Sequence, residues 1–198
     1  IDSKRMPDEF TNPPPSLLSQ LNLNQEVTKI KFVKSDEVVE GRIFVWDERT
    51  KLLISDIDGT ITKSDLRGQI MTRRLNMQYA HPGVASLFNT IHSKGYKLMY
   101  LTVRSIAKHD FTIKYIEQLK QGETALPPGP VITPPVTGHA IMRWRMPTEF
   151  KIPALKHVVD LFPPDVNPFV AGWGNRPTDT MSYIAIGINP CKIWIVNK

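Results

Sequence analysis

The stretch LLISDIDGTITKSD, residues 52–65, decides the fold. Its apolar start is typical of a buried strand, and it leads into two aspartates, Asp56 and Asp58, which Gly59 follows directly. A buried strand of this kind delivers carboxylates to the edge of a sheet, and the chain then turns. By spacing alone the pair has two interpretations. The aspartates either cap the next helix and satisfy backbone donors in the turn, or they belong to a chemical site.

Composition narrows the class of protein. The 198 residues suffice for one full domain with a core and a small appendage, and the hydrophobic fraction of 41% is ordinary for a soluble globular chain. The formal net charge of +6 favours an anionic partner, which charge alone leaves open as nucleic acid, acidic membrane surface or phosphorylated metabolite. No zinc-finger, RNA-binding or basic-zipper pattern accompanies the charge, so we expect no nucleic-acid partner.

Two further absences in the sequence bear on the compartment. No apolar run approaches the roughly 18 residues that span a bilayer, and residues 1–5 have no signal-peptide profile. The single cysteine, Cys191, excludes an internal disulfide and a cysteine-based zinc site, and we expect it to be a small buried residue of a strand. We therefore expect a cytoplasmic protein.

Hydrophobic patterning divides the chain into two segments, 1–48 and 49–198. Residues 27–33 and 38–46 alternate apolar and polar side chains, which predicts an antiparallel pair after an extended lead-in. Two strands are marginal alone, so this pair must pack against something else. From residue 49 strands alternate with helices, which predicts an α/β domain whose parallel sheet is covered on both faces.

The predicted elements of the second segment place polar residues at strand ends. Strands are predicted at 52–55, 97–102, 131–133, 169–173 and 192–196, and helices at 84–93, 105–120, 153–162 and 177–186. Asp56, Asp58, Thr102 and Asn175 fall at the carboxyl ends of strands, where the active sites of such sheets lie.

The string Asp-x-Asp-Gly-Thr at 56–60 resembles the first motif of the haloacid dehalogenase superfamily of phosphohydrolases. The other three motifs of that superfamily have matches in order. They are Thr102 after the next strand, Lys151 just before a predicted helix, and residues 174–179, in which Asn175 stands in place of the first acidic residue. Four matches in order favour the catalytic interpretation of the aspartates. The resemblance implies a Rossmann-like haloacid dehalogenase fold.

The resemblance implies a role for each matched residue. Asp56 would be the nucleophile that forms an aspartyl-phosphate, and Asp58 would protonate the leaving alcohol and then activate water. Thr102 and Lys151 would hold phosphate oxygens. Backbone N–H groups in the turn at 59–60, Gly59 and Thr60, would approach the phosphate.

A metal and one further cation complete the implied site. Mg²⁺ suits an all-oxygen site made of the Asp56 carboxylate, the Asp58 main-chain carbonyl and the side chain of Asn175 or Asp179. Arg104 is assigned to the substrate phosphate, and the alternative is an ordinary structural ion pair.

A closer resemblance covers most of the chain. Residues 56–65 and 169–179 look like the catalytic segments of the lipin family, Mg²⁺-dependent phosphatidic acid phosphatases, and the similarity extends upstream to residues 17–23 and 43–46. It implies the carboxyl-terminal lipin region, in which the strands at 27–46 form part of an immunoglobulin-like sandwich. That sandwich needs an amino-terminal lipin region, so we expect either a fragment or a second chain that carries the missing part.

The resemblance implies a phosphatidate phosphatase that releases diacylglycerol and phosphate at the cytosolic face of the endoplasmic reticulum or nuclear membrane. One alternative is a silent module that binds phosphatidic acid without hydrolysing it, although such domains tend to lose the acidic pair that Asp56 and Asp58 retain. Another is a phosphatase of the same superfamily that acts on protein or a soluble phosphomonoester. Short intervals between the motifs leave little or no room for a cap domain, so we expect an open site.

Peripheral membrane contact has one local candidate, the Met-Arg-Trp-Arg-Met segment at 142–146. The favoured alternative is a loop that packs Trp144 on the core and leaves its arginines in water.

Overall fold

The computed structural model describes residues 19, 23, 26–34, 36–63, 79–134 and 147–197. The chain forms two compact units that divide between Trp46 and Asp47. The candidate membrane segment at 142–146 lies outside the described residues, and so do parts of both intervals in which a cap domain would be inserted, 64–78 and 135–146. Those two expectations stay predictions.

The first unit contains an antiparallel ribbon. Strand β1, Val27–Lys34, pairs with strand β2, Glu37–Phe44, in a register that sets Val27 opposite Phe44. This confirms the predicted antiparallel pair. Four large apolar side chains of the ribbon are more than half exposed, namely Phe32, Val33, Val38 and Val39. The ribbon therefore retains an apolar surface, as expected of two strands that need a packing partner.

The second unit carries the remaining elements. In chain order they are β3 Leu52–Asp56, α1 Val84–His92, β4 Lys97–Leu101, α2 His109–Gln118, β5 Lys120–Gln121, β6 Thr124–Ala125, β7 Val131–Ile132, α3 Pro147–Val159, β8 Phe169–Gly174, α4 Pro177–Ala185 and β9 Ile193–Ile195. Short 3₁₀ turns, Ile106–Lys108 and Pro190–Lys192, precede α2 and β9.

Five of these strands form one parallel sheet in the order β7-β4-β3-β8-β9. The predicted parallel α/β sheet is confirmed, and its architecture is consistent with a Rossmann-like haloacid dehalogenase fold. The chain adds strands on one side of β3 and then returns to add β8 on the other side. A crevice opens at such a reversal, outside the carboxyl ends of the two strands. In this protein the crevice lies at the ends of β3 and β8.

The sheet core explains why β3 is central. All five residues of β3 are buried, which its unbroken apolar start requires of a strand covered on both faces. Phe88 of α1 packs edge-on against Trp173 of β8, with ring centroids 5.6 Å apart. No helix in the described part of the chain is long and apolar enough to cross a membrane.

Helix α3 begins earlier than predicted. It starts at Pro147, so Lys151 lies inside the helix and Pro153 is an interior residue instead of the first one. Sequence rules place proline at a helix start because it lacks an N–H donor. Here tertiary packing outweighs the missing hydrogen bond, since α3 packs against α4 and buries Leu155 and Val158.

The structure corrects the end of one predicted helix and the place of Cys191. The helix predicted to run to residue 120 ends at Gln118, and a hairpin of β5 and β6 follows, in which Gly122 has a positive φ of 62°. Cys191 is exposed in a 3₁₀ turn instead of buried in a strand. The side chain of Asn189 caps that turn by accepting the Cys191 N–H at 2.9 Å, which delays the start of β9.

Candidate active site

Strand β3 carries Asp56 to the crevice, and the next residues turn tightly. The N–H groups of Thr60, Ile61 and Thr62 all donate to the carbonyl of Ile57, at 3.3, 3.0 and 3.0 Å. Gly59 adopts a φ of 89°, which favours glycine. A Cβ atom on Gly59 would also overlap the side-chain amide of Asn175, so the turn and the end of β8 approach as closely as they do only because residue 59 has no side chain.

Two threonine hydroxyls form hydrogen bonds within this turn. Gly59 N–H donates to Thr62 Oγ1 at 3.2 Å, while the Thr60 hydroxyl donates to Asp56 Oδ2 at 3.5 Å. Gly59 and Thr60 thus lie beside Asp56, as the sequence placed them. Their contact with a phosphate stays a prediction.

Lys151 joins two carboxylates in the interior. Its Nζ donates to Asp56 Oδ1 at 2.6 Å and to Asp179 Oδ1 at 2.5 Å. The side chains of Lys151, Asp56 and Asp179 are only 3%, 7% and 1% exposed. One buried ammonium group therefore faces two buried carboxylates, and the cluster has an excess negative charge whenever both carboxylates are ionised.

The pKa values of this cluster follow from burial and charge. Burial raises the pKa of Asp56 to about 7, Lys151 opposes that rise, and Asp179 adds to it. Burial lowers the pKa of Lys151, but the carboxylates of Asp56 and Asp179 outweigh burial and raise it above its ordinary value. Lys151 is therefore charged at neutral pH.

Asp58 faces a different cation. Arg104 donates to it through Nη2, 2.6 Å from Oδ1, and through Nε, 3.0 Å from Oδ2, and Thr102 Oγ1 donates to the same Oδ2 at 3.0 Å. Thr102 follows β4 directly, and its own N–H donates to the Ile132 carbonyl at 3.1 Å. The two aspartates of the motif are thus held apart by separate partners.

Asn175 and Asp179 occupy different positions in the site. Asp179 is fully buried, and its Oδ2 accepts the N–H groups of Asn175 and Arg176, both at 3.0 Å. Since Lys151 holds Oδ1, both oxygens of Asp179 are already occupied by donors. Asn175 Oδ1, in contrast, is buried and accepts no hydrogen bond from the described residues.

These observations test whether the site suits a divalent cation. In the described part of the chain, no three His, Cys, Asp or Glu side chains converge to hold a metal ion. A site must therefore combine a carboxylate with an amide oxygen and a main-chain carbonyl, which hard cations such as Mg²⁺ accept. The unpaired Asn175 Oδ1 beside the excess negative charge of the cluster fits that donor set. Asp179 fits it less well, because its oxygens serve Lys151 and the turn before α4.

The structure brings all the predicted side chains to one edge of the sheet. Asp56, Lys151 and Asp179 form one group, Asp58, Thr102 and Arg104 form a second, and Asn175 lies over Gly59. Sequence reasoning missed the residues that support Arg104, namely Thr112 and Tyr115 on α2. Their spacing of three residues indicates a shared helix face, but no sequence signal shows what that face contacts.

Known proteins resemble this chain along almost its full length. The sequence profile of the LNS2 (Lipin/Ned1/Smp2) family matches residues 10–198. The chain is 42% identical over 190 residues to the Arabidopsis thaliana protein named Phosphatidate phosphatase PAH1, a match that covers 91% of the chain and 21% of that relative. It is 39% identical over 161 residues to human Phosphatidate phosphatase LPIN2, covering 79% of the chain and 18% of that relative.

A fungal relative gives the same result. The Saccharomyces cerevisiae protein named Phosphatidic acid phosphohydrolase 1 is 37% identical over 196 residues, covering 91% of the chain and 23% of that relative. The chain thus spans about a fifth of the length of the curated relatives it matches. Because the family profile runs from residue 10 through both aspartates and Lys151 to the last residue, the chain belongs to the LNS2 (Lipin/Ned1/Smp2) family, which confirms the predicted lipin relationship.

Proposed function

We propose that this chain is a Mg²⁺-dependent phosphatidate phosphatase that hydrolyses phosphatidic acid to diacylglycerol and phosphate through an aspartyl-phosphate intermediate. The observation that carries the proposal is the buried Asp56 carboxylate at the end of β3, with one oxygen fixed by Lys151 and with Asp58 held by a separate cation. The relatives named phosphatidate phosphatases support the choice of substrate.

In the first step, Asp56 Oδ2 attacks the phosphorus of the monoester. The new bond joins Oδ2 to phosphorus, and the bond between phosphorus and the glycerol oxygen breaks. Lys151 holds Oδ1 at 2.6 Å, which anchors the carboxylate by that oxygen and leaves Oδ2, whose contact with the Thr60 hydroxyl is longer at 3.5 Å, to react. A proton passes from Asp58 to the departing glycerol oxygen, and diacylglycerol leaves.

In the second step, water attacks the phosphorus of the intermediate. Asp58, now a carboxylate, takes a proton from that water, and the bond between phosphorus and Asp56 Oδ2 breaks. Inorganic phosphate leaves, and both aspartates return to their starting forms. Throughout, the ammonium of Lys151 supplies positive charge near the phosphoryl oxygens.

Mg²⁺ would be held by the Asp56 carboxylate, the Asp58 main-chain carbonyl and Asn175 Oδ1. When bound, it would supply charge neutralisation for the phosphate, whose own oxygens repel an anionic nucleophile. Asn175 is preferred to Asp179 as the side-chain ligand from the end of β8, because Asn175 Oδ1 is unpaired among the described residues whereas Asp179 Oδ1 accepts from Lys151.

We also propose peripheral contact with a cytosolic membrane face, of the endoplasmic reticulum or nucleus, because the substrate is a bilayer lipid. The formal charge of +6 supports attraction to an anionic surface. An amino-terminal lipin segment that covers the β1–β2 ribbon is a further proposal. The exposed Phe32 and Val39 and the much greater length of the relatives support it.

The proposal is tested by phosphate release from liposomes that contain phosphatidic acid, with and without Mg²⁺. A soluble phosphomonoester and a liposome-binding assay run in parallel. Mg²⁺-dependent release from phosphatidic acid in excess of release from the soluble ester is the expected result.

The other results select the alternatives. Release from the soluble ester alone would point to a phosphatase of another substrate class. Binding of phosphatidic acid liposomes without release from either substrate would show a silent lipid-binding module and would overturn the enzymatic proposal.

A further inference from the structure

Arg104 lies against Asp58 instead of reaching toward Asp56, and we infer that it is a positioning residue for Asp58 and not a ligand of the substrate phosphate. This inference rests on the proposed function, because it assigns a task to Arg104 within the same reaction. The sequence left two roles open for Arg104, a contact with the substrate phosphate or an ordinary structural ion pair. The inference replaces both with an ion pair that positions Asp58 for the reaction.

The contact between the two side chains is a fork. Nη2 lies 2.6 Å from Asp58 Oδ1, and Nε lies 3.0 Å from Oδ2 and 3.2 Å from Oδ1. The side chains of Arg104 and Asp58 are 8% and 12% exposed. A planar guanidinium that meets a carboxylate on both oxygens fixes its plane as well as its position, which a lone point charge does not do.

The guanidinium is itself held from its other side. Nη1 donates to Thr112 Oγ1 at 3.4 Å, and Thr112 Oγ1 donates to the Lys108 carbonyl at 2.9 Å. The Arg104 Cζ lies 5.9 Å from the centroid of the Tyr115 ring, within cation–π range. Helix α2 thus supports the arginine in the orientation that grips Asp58.

Thr102 shows why a second donor to Asp58 is needed. The Thr102 hydroxyl donates to Asp58 Oδ2 at 3.0 Å and accepts a hydrogen bond from the backbone N–H of Arg104 at 3.2 Å. A hydroxyl group has one proton to donate. If Thr102 turns that proton to a phosphate oxygen during turnover, Asp58 loses the donor and Arg104 continues to hold the carboxylate.

An arginine that moved to the phosphate would leave Asp58 without its cation. Lys151 is committed to Asp56 and Asp179, at 2.6 and 2.5 Å, and so does not replace it. A largely buried carboxylate that loses its partner is strongly destabilised. Asp58 is a carboxylate once its proton has passed to the glycerol oxygen, so the charges of the site favour an arginine that stays with Asp58 through the second step.

The test separates the turnover number from phosphate binding in the Arg104→Gln variant. Turnover of phosphatidic acid vesicles with Mg²⁺ gives kcat and KM. The inhibition constant of a phosphonate analogue, in which CH₂ replaces the ester oxygen, reports phosphate binding without chemistry. We expect kcat to fall about 10²-fold to 10³-fold, within the range of general acid–base catalysis, while the inhibition constant changes less than about threefold.

Three variants complete the design. Arg104→Lys keeps the charge without the fork, so kcat recovers only in part. Arg49→Gln removes an exposed arginine and leaves kcat unchanged. Thr112→Val removes the hydroxyl behind Arg104 with little change of shape, and it tests the inference if Arg104→Gln does not fold. Its kcat should fall about threefold to tenfold at an unchanged inhibition constant, as expected when a positioning contact shifts the acid slightly.

Two results would overturn the inference while the proposed function stands. A rise of tenfold or more in the inhibition constant of Arg104→Gln would make Arg104 a phosphate ligand, and an unchanged kcat would leave it a purely structural ion pair. Failure of the unmodified chain to release phosphate from phosphatidic acid would instead refute the proposed function and the inference together.

Discussion

Replacing Lys151 with Met should destabilise the protein more than any other single change in the site. Met matches the length of the lysine stem but removes the ammonium group that lies 2.6 Å from Asp56 Oδ1 and 2.5 Å from Asp179 Oδ1. Removing one partner of a buried ion pair costs about 3–5 kcal/mol. We expect a loss near the upper end of that range, because one cation faces two carboxylates that are 7% and 1% exposed.

The loss should depend on pH in a defined direction. Burial already raises the pKa of Asp56 from 3.8 to about 7, and Lys151 is the group that holds it down. An acid whose folded pKa is raised contributes stability that is present below its unfolded pKa and is lost as pH rises through its folded pKa. Without Lys151 that pKa rises further, so Lys151→Met should be less destabilised at pH 5 than at pH 8.

The measurement is urea unfolding followed by circular dichroism at pH 5 and pH 8. Lys156→Met, an exposed lysine of the same helix, is the matched control and should stay within about 0.5 kcal/mol of the unmodified chain. Adding Asp179→Asn to Lys151→Met removes one unpaired carboxylate and should restore part of the loss. A loss below about 1 kcal/mol at pH 8, or an equal loss at both pH values, would refute the buried-triad argument.

Three further changes probe the site. Asp56→Asn should abolish phosphate release, and wild-type-like turnover would contradict the role of Asp56 as nucleophile. The melting temperature of this variant at pH 8 should not fall, because the change removes a buried carboxylate whose pKa burial raises. Gly59→Ala should lower kcat at least about tenfold, because the new Cβ displaces Asn175 and the φ of 89° is strained. Gly122→Ala, with a φ of 62° and open space around it, carries similar strain and should keep full kcat. Asn175→Ala should raise the Mg²⁺ concentration needed for half-maximal activity, with little change in melting temperature. Asn175→Asp restores an oxygen ligand and should not show that rise. An unchanged Mg²⁺ dependence in Asn175→Ala would exclude Asn175 as a ligand.

The sequence predicted the second unit well because its signals are local. A short apolar run that ends directly in a turn favours a strand covered on both faces, and β3 is buried at all five of its residues. The alternation of strands and helices then favours a parallel sheet, which the order β7-β4-β3-β8-β9 confirms. Local signals failed where packing overrides them, as at Pro153, which lies inside α3 instead of starting it.

The sequence by itself determined which strand-end residues meet at the crevice, because parallel strands all end at the same edge of the sheet. Asp56 ends such a strand, and Thr102 and Asn175 each follow one. Only the tertiary structure decided how those residues are partnered. Lys151 reaches Asp56 across 95 positions of the chain, and Arg104 reaches Asp58 across 46. Two cations and three carboxylates can pair in several ways, and the choice depends on side-chain distances of a few ångströms that no local pattern encodes. In the folded chain, Lys151 pairs with the buried Asp56 and Asp179, and Arg104 pairs with Asp58.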